Sequence, residues 1–383
     1  MNKTHSNSKY IRNMAALVSL AIAASTPALF AGQKTGEKEP LARAHLAMPQ
    51  GAFASPDHPN RSVAQYLEET YRDALQIHRT KAVKDPAYVP EIAQSLIILG
   101  TLYHETGRLE PAEQAYQEAL QIYRALGKRD AGYHLEVVAA LNNLGVLYHE
   151  TRRLEQAEQA FVEALTILRL HVRKDAETSL LHEASTASNL GTLYHETERF
   201  EPAEQAHQEA LQAYRALAKR DPVYRTEVAH TAHVLALLYR RMQRLEKAEQ
   251  ALGESLDNYR ALTMEDPTYG AEVAMALNNL GVVYQEGRRA VAAERMFTEA
   301  IAACRTLVKQ DPTYLADMAI TLTNLGTLLH TLRRLEEAEK AYREAFTSFA
   351  ALAKKDPEYR SYVAMIRNHL ARLRYDTLRL EAI

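Results

Sequence analysis

Two helical stripes of apolar residues alternate along residues 61–383, and the pair recurs every 45 or 46 residues. In the second copy, the first stripe consists of Leu141, Leu144, Gly145 and Tyr148. Placed at 100° per residue, these positions fall within about 100° of arc, which is typical of one packed helix face. The second stripe consists of Ala157, Phe161 and Ala164. The polar string ETRRLE separates the stripes, so each copy is predicted to be a helix–turn–helix pair.

Two further sets of residues keep the same spacing and set the boundaries of each copy. A small residue recurs in the first helix, at Gly100, Gly145, Gly191, Ala236, Gly281, Gly326 and Ala371. An aspartate recurs before that helix, at Asp85, Asp130, Asp175, Asp221, Asp266, Asp311 and Asp356. Five of these aspartates precede a proline. Such a pair favours the turn before a helix, because Asp accepts bonds from free amides and Pro has no amide to donate.

Self-similarity at this period predicts a solenoid. We therefore expect an all-α fold, a right-handed α-solenoid with six full helix–turn–helix repeats and a half-repeat helix at each end. Residues 62–80 align with a second helix, and residues 363–380 align with a first helix. The last helix would give the array a polar outer face through Arg367, Arg372, Arg374 and Arg379.

The repeat resembles the tetratricopeptide repeat. The resemblance rests on Leu141-x2-Leu144-Gly145-x2-Tyr148 followed by Ala157-x3-Phe161, and similar strings cover residues 61–383. The period is longer than the roughly 34 residues usual in that family, and it is similar to the longer repeats of kinesin light chains and related bacterial proteins. The resemblance implies that the first helices line a concave groove in which extended peptides bind.

The N-terminal residues have the pattern of an export signal. Lys3, Lys9 and Arg12 precede the apolar run 14–24, and small residues surround a predicted cut after Ala31. We predict a signal peptide over 1–31, with an N-terminal anchor as the alternative. Residues 32–60 are then a flexible linker and 61–383 the solenoid domain. The protein is expected to be exported, periplasmic or secreted, with no stable membrane span after cleavage.

Composition and motifs exclude several classes of function. A formal net charge of −2 provides no basic footprint for nucleic acid. The single cysteine, Cys304, excludes an internal disulfide framework and a cysteine-rich zinc site. The chain has no phosphate-binding loop, no GxSxG motif and no dinucleotide fingerprint. We therefore predict a non-enzymatic protein with no catalytic residues, no cofactor and no metal site, whose partner is a protein or peptide.

Asparagines recur on the face that the resemblance assigns to the groove. If the recurring Gly or Ala is counted as position 8, positions 4, 7, 8 and 11 pack, and positions 2, 6, 9 and 13 point the opposite way. Position 6 is asparagine in four repeats, at Asn143, Asn189, Asn279 and Asn324. An amide can pair with any peptide backbone, which favours partner contact. Alternatively, these amides bond neighbouring helices and stiffen the stack.

Position 13 carries most of the predicted groove charge. Glu105, Glu150 and Glu196 make the first part acidic. The charge changes at Arg241, with Arg240 and His233 on the same helix. This change could select a partner segment with a matching charge pattern.

Position 12 is histidine in four repeats, at His104, His149, His195 and His330. Three of them precede a glutamate in the string LYHET, a pairing that a metal-dependent hydrolase could use. No HExxH spacing places two ligands on one helix, so we expect interhelical hydrogen bonds instead. A second alternative is a protein that binds a small molecule or a cell-wall fragment in the polar groove. Arginines recurring in the turns, such as Arg108 and Arg153, are expected to form a solvated salt-bridging rim.

Overall fold

The computed structural model describes residues 63–171 and 177–381. The predicted signal peptide (1–31) and linker (32–60) lie outside these residues. The described residues are helical apart from turns, and they contain no β-strand. They repeat one helix–turn–helix arrangement, which confirms the predicted all-α class with six full pairs and a single helix at each end.

Fourteen α-helices make up the described ranges. The first seven, α1 to α7, are Val63–Ala82, Val89–Glu105, Leu109–Gly127, His134–Glu150, Leu154–His171, Glu177–Glu196 and Phe200–Ala218. The last seven, α8 to α14, are Arg225–Arg241, Leu245–Glu265, Gly270–Glu286, Ala290–Gln310, Leu315–Thr331, Leu335–Ala353 and Arg360–Glu381. The even-numbered helices are the first helices of the repeats, and the odd-numbered ones are the second helices.

The recurring aspartates begin each repeat as the sequence predicts. In the first repeat, the side chain of Asp85 accepts a hydrogen bond from the amide of Ala87 at 3.0 Å, and Pro86 occupies the first turn. The aspartate thus satisfies an amide that has no partner inside the helix. The same cap precedes six short 3₁₀ turns, Pro86–Tyr88, Ala131–Tyr133, Pro222–Tyr224, Pro267–Tyr269, Pro312–Tyr314 and Pro357–Tyr359. Asp175 lies outside the described residues.

The polar strings between paired helices are tight turns with one left-handed residue. That residue is Gly107 in the first repeat, with φ of 74°, and Arg152 in the second, with φ of 61°. The amide of Arg153 then donates to the carbonyl of Tyr148 at 2.8 Å, so a carbonyl at the end of α4 gains a partner. The turn is therefore short enough to keep the two helices of a repeat in direct contact.

Small residues at position 8 bring each first helix close to the ring on its second helix. A Cβ built on Gly281 would lie 2.5 Å from Cε1 of Phe297. The side chains facing Gly100, Gly145, Gly191, Gly281 and Gly326 are those of Tyr116, Phe161, His207, Phe297 and Tyr342. In the repeat where position 8 is Ala236, the residue at the ring position is Leu252. Glycine at position 8 thus occurs with a ring on the second helix, and alanine at position 8 occurs with the smaller leucine.

Contacts divide the described residues into two compact units, one up to residue 189 and one from residue 190. In the first unit, Leu96, Leu99 and Tyr116 are among the buried core residues. In the second, Phe297, Tyr342 and Phe349 are fully buried, and Ile366 of α14 lies in one core cluster with Tyr342 and Phe349. The predicted polar face of α14 is confirmed, since Arg367, Arg372, Arg374 and Arg379 are all exposed.

Candidate partner-binding face

One face of the first helices is open to solvent, and we call it the groove face. It consists of positions 2, 6, 9 and 13, all half-buried or exposed. In the first unit these positions in α2 and α4 are Gln94, Ile98, Thr101, Glu105, Ala139, Asn143, Val146 and Glu150. In the second unit they are, in α8, α10 and α12, His230, Val234, Leu237, Arg241, Met275, Asn279, Val282, Glu286, Ile320, Asn324, Thr327 and Thr331.

Three of the four asparagines at position 6 form hydrogen bonds between successive first helices. In the first unit, Nδ2 of Asn189 donates to Oδ1 of Asn142 at 3.1 Å. In the second unit, Nδ2 of Asn324 donates to Oδ1 of Asn278 at 2.9 Å. Each bond joins position 6 to position 5 of the preceding first helix. These contacts support the stacking interpretation for these two amides, which retain a second N–H and a carbonyl oxygen for other partners.

His233 belongs to the same set of contacts and lies in the interior, not on the groove face. Its side chain is only 5% exposed, and Nε2 lies 2.9 Å from Nδ2 of Asn279. Burial lowers the pKa of His233 to about 4, so the imidazole is neutral at physiological pH. The sequence pattern grouped His233 with the groove charges. It stands at position 5, which is Asn278 in the following repeat.

Asn143 differs from the other three asparagines. Position 5 of the preceding first helix is Ile97, whose side chain can neither donate nor accept a hydrogen bond. Within residues 63–171 and 177–381, the side chain of Asn143 has no hydrogen-bond partner, and it is half-buried on the groove face. Its amide therefore keeps all its donor and acceptor capacity for a molecule outside the chain.

The histidine and glutamate of LYHET pair across repeats, not within the motif. Nε2 of His104 lies 2.7 Å from Oε2 of Glu150 on the next first helix. At the end of the second unit, Nε2 of His330 lies 2.9 Å from Oδ2 of Asp376. Arg240 takes the histidine position in α8, and its Nε lies 3.5 Å from Oε1 of Glu286. The interhelical hydrogen bonds expected for the histidines are confirmed at His104 and His330.

The charges predicted for the groove have different surroundings. Glu105 is exposed and, among the described residues, has no hydrogen bond or ion pair. Desolvation by the surrounding helices raises the pKa of its carboxyl group. Glu196 is exposed as well. Arg241 has partners inside its own unit, since Nη2 contacts Oε1 of Glu198 at 2.6 Å and the guanidinium lies 5.1 Å from the ring centroid of Phe200.

The turn arginines have partners on the preceding second helix that the sequence did not predict. Arg153 forms two hydrogen bonds, of 2.7 and 2.8 Å, with the carboxylate of Glu113 on the preceding second helix. Its guanidinium also lies 4.5 Å from the ring centroid of Tyr148 in its own repeat. The ion pairs of this type are Arg108–Glu68, Arg153–Glu113, Arg244–Glu204, Arg289–Glu249 and Arg334–Glu294. The rim therefore joins consecutive repeats, and the matching 45-residue spacing of these arginines and glutamates was the signal available in the sequence.

No group of three or more His, Cys, Asp or Glu side chains is arranged to hold a metal ion in residues 63–171 and 177–381. None of the helices in those ranges is long and apolar enough to cross a membrane.

Family comparisons agree with the repeat geometry. Family models described as tetratricopeptide repeat match residues 92–126, 137–172, 184–223 and 272–351. The chain contains tetratricopeptide repeats. Arrays of such repeats present extended surfaces that bind other proteins. No curated protein sequence matches the chain.

Solved structures with the same arrangement are distant in sequence. BtubC (BKLC) from P. vanneervenii is 22% identical with a TM-score of 0.53, covering 64% of this chain and 93% of its own. The apo form of RapI is 13% identical with a TM-score of 0.57, and the match covers 84% of this chain and 87% of RapI. A kinesin light chain of Podosopora anserina is 14% identical with a TM-score of 0.44, covering 57% and 95%. At these identities, BtubC and RapI show a shared tetratricopeptide-repeat fold and nothing further.

Proposed function

We propose that this tetratricopeptide-repeat protein is a non-enzymatic scaffold that holds an extended segment of a partner protein on its groove face. The main support for the proposal is that the side-chain amide of Asn143 is half-buried and has no partner among the described residues. An unpaired amide of this kind costs free energy unless water or a ligand satisfies it. The backbone of an extended segment offers both a carbonyl and an N–H, so it can satisfy Asn143 whatever its sequence.

The rest of the groove face supports contact with a protein segment. In the first unit, the exposed carboxylates of Glu105 and Glu150 favour a segment that carries basic residues. In the second unit, Met275 is 44% exposed and Ile320 is 36% exposed, both at position 2. Exposed apolar side chains of this type, and methionine in particular, adapt to the side chains of a bound chain.

Site-specific photo-crosslinking tests the proposal. A photoreactive residue replaces Gln94 on the groove face, and in a control variant it replaces Gln121, which is exposed on the second helix α3. The two variants are irradiated in cells of the native host, and adducts are identified by mass spectrometry. We expect a protein adduct from position 94 and none of the same mass from position 121. Equal adducts from both positions would show that the groove face is not where the partner binds.

We also propose that the protein is exported. Support comes from the basic residues, the apolar run and the small residues of segment 1–31. The intact mass of protein purified from the native host should correspond to a chain that begins at Gly32. A mass that corresponds to a chain beginning at Met1 would contradict cleavage, and fractionation of the cells would then show whether the segment acts as an anchor.

A further inference from the structure

The last helix, α14, exposes an ordered stripe of arginines and small apolar residues. Arg360, Arg367 and Arg374 are seven residues apart, so they lie on one face at intervals of about 10.5 Å along the axis. Three apolar residues lie between and after them on the same face. The six exposed residues of this stripe are Arg360, Ala364, Arg367, Ala371, Arg374 and Leu378. We call it the arginine stripe.

The arginine stripe occupies the position at which the other first helices contact their second helix. Arg367, Ala371 and Arg374 stand at positions 4, 8 and 11 of α14. The equivalent residues of α12, Leu322, Gly326 and Leu329, are buried, and α12 packs on α13. No element in the described part of the chain covers the stripe, because all six of its side chains are exposed. In the other repeats, the same positions of the first helix pack against a second helix.

The charges of the arginine stripe are not compensated by the described residues. Arg360, Arg367 and Arg374 form no ion pair or hydrogen bond there, and no acidic residue stands three or four positions from Arg367 or Arg374. Asp376 stands two positions after Arg374, but it is paired with His330 at 2.9 Å and with Arg333 at 3.5 Å. Exposed arginines on the second helices differ: the side chains of Arg215 and Arg305 each contact a glutamate 39 residues further on.

We propose that the arginine stripe binds an acidic amphipathic helix of a partner protein. Ala364 and Ala371 leave room for the partner backbone to approach closely, at the 8–10 Å axial separation of packed helices. Glutamates or aspartates seven residues apart on the partner would meet the three guanidinium groups, and arginine pairs with carboxylates in bidentate geometry. The partner helix then takes the place of a second helix. This surface is separate from the groove face and does not depend on the proposed groove function.

The test uses a defined peptide and two matched double variants of the full chain. The probe is a fluorescein-labelled 21-residue peptide of alanine, leucine and glutamine with three glutamates, each seven residues from the next. Binding is measured by fluorescence anisotropy, in parallel with a scrambled peptide. One variant is Arg367→Glu with Arg374→Glu, which reverses charges on the stripe. The control is Arg372→Glu with Arg379→Glu, which makes the same charge change on another face of α14.

We expect the stripe variant to weaken peptide binding by about tenfold or more, and the control variant to change it by less than about twofold. Circular dichroism should show the same helical content for all three proteins. Equal loss in both variants, equal binding of the scrambled peptide, or no binding to the unmodified chain would overturn the proposal.

Three parallel measurements distinguish an acidic helix from other ligands that the arginine stripe could bind. Tighter binding of duplex DNA or of phosphatidylserine vesicles, lost in the stripe variant, would assign the surface to a nucleic acid or a membrane and overturn the proposal. Self-association of the unmodified chain in sedimentation, abolished only in the stripe variant, would assign the surface to a second copy and overturn it as well. Sedimentation as a monomer together with stripe-dependent peptide binding supports it.

Discussion

At the scale of single residues, His207 is a buried polar side chain in a position built for an aromatic ring. It is fully buried, and neither ring nitrogen has a hydrogen-bond partner among the described residues. The pKa of His207 is lowered to about 4, mainly because the side chain is buried and also because His195 and His230 are nearby. Phe161 and Phe297 occupy the same position in other repeats and pack on a glycine in the same way. A buried imidazole without partners lowers the stability of the repeat.

His207→Phe should therefore stabilise the protein. We expect a gain of about 1–3 kcal/mol at pH 7, because two unsatisfied polar atoms are removed while Gly191 leaves room for the ring. The substitution should also reduce the acid sensitivity. An unfolded histidine has a pKa of about 6.5, so between pH 6.5 and 4 the unfolded chain binds a proton that folded His207 does not. This linkage costs up to about 3 kcal/mol as the pH falls.

Urea unfolding at pH 7 and pH 4 measures both effects. The difference in stability between the two pH values should be smaller for His207→Phe than for the unmodified protein. An unchanged difference would show that His207 already has a hydrogen-bond partner, such as an internal water, that keeps its pKa near the ordinary value.

Asn143 and Asn324 occupy the same position of their helices but should respond differently to removal of the amide. Asn324→Ala deletes the bond to Asn278 and should cost about 1 kcal/mol of the free energy of unfolding. Asn143→Ala removes no described bond, so stability should change by less than about 0.5 kcal/mol. Crosslinking to the partner from position 94 should nevertheless weaken in Asn143→Ala. Loss of stability in Asn143→Ala without loss of crosslinking would assign this amide to the stack.

At the scale of the helix pair, position 8 and the facing ring are coupled by size. In Gly281→Ala the new Cβ would lie 2.5 Å from the ring of Phe297, which is fully buried. Overpacking of this kind costs about 1–3 kcal/mol, more than the roughly 1 kcal/mol that alanine gains over glycine in a helix. We therefore expect Gly281→Ala to lower the unfolding midpoint.

A second substitution should restore much of that loss. Phe297→Leu recreates the combination found at Ala236 and Leu252, so the double variant should be more stable than the sum of the two single changes predicts. A double-mutant cycle by urea unfolding measures this coupling. Additive single effects would show that the ring can shift away from the new methyl group.

At the scale of the whole molecule, the sequence predicted the periodic features well and the contacts between repeats poorly. The aspartate caps, the helix pairs and the glycine positions depend on residues close together in the chain or on one helix face. The pairing of His104 with Glu150 joins residues on successive first helices, and so does that of Asn189 with Asn142. Helical periodicity places each side chain on a face but does not fix how far one repeat is shifted along the next.

The same limit explains the candidate site. Position counting placed Asn143 and Glu105 on the open face, where the structure has them. It could not show that Ile97 leaves Asn143 unpaired while Asn142 engages Asn189, because these outcomes depend on which residue the adjacent helix presents. It also placed His233 among surface charges, since burial by the following first helix does not appear in the pattern of one helix.

If stability is a sum over repeats and their interfaces, removal of one complete period from the second unit should leave a folded protein. Deleting residues 267–311 joins Asp266 directly to Pro312 and so restores the Asp-Pro cap. The contacts between repeats are also restored by equivalent residues: His233 meets Asn324 in place of Asn279, and Arg334 meets Glu249 in place of Glu294. We expect unchanged helical content per residue and cooperative urea unfolding, with an m-value reduced in proportion to the surface lost.

Deletion of residues 267–289 is the matched control, because it removes α10 with its flanking turns but leaves α11 in place. The second helices α9 and α11 would then follow one another. The face of α11 that packs on a first helix would then meet another second helix, and the ring of Phe297 would have no glycine to pack on. This variant should lose helical content and cooperativity, as circular dichroism during urea unfolding would show. Equal stability of the two deletions would mean that the 45-residue period does not govern packing in this unit.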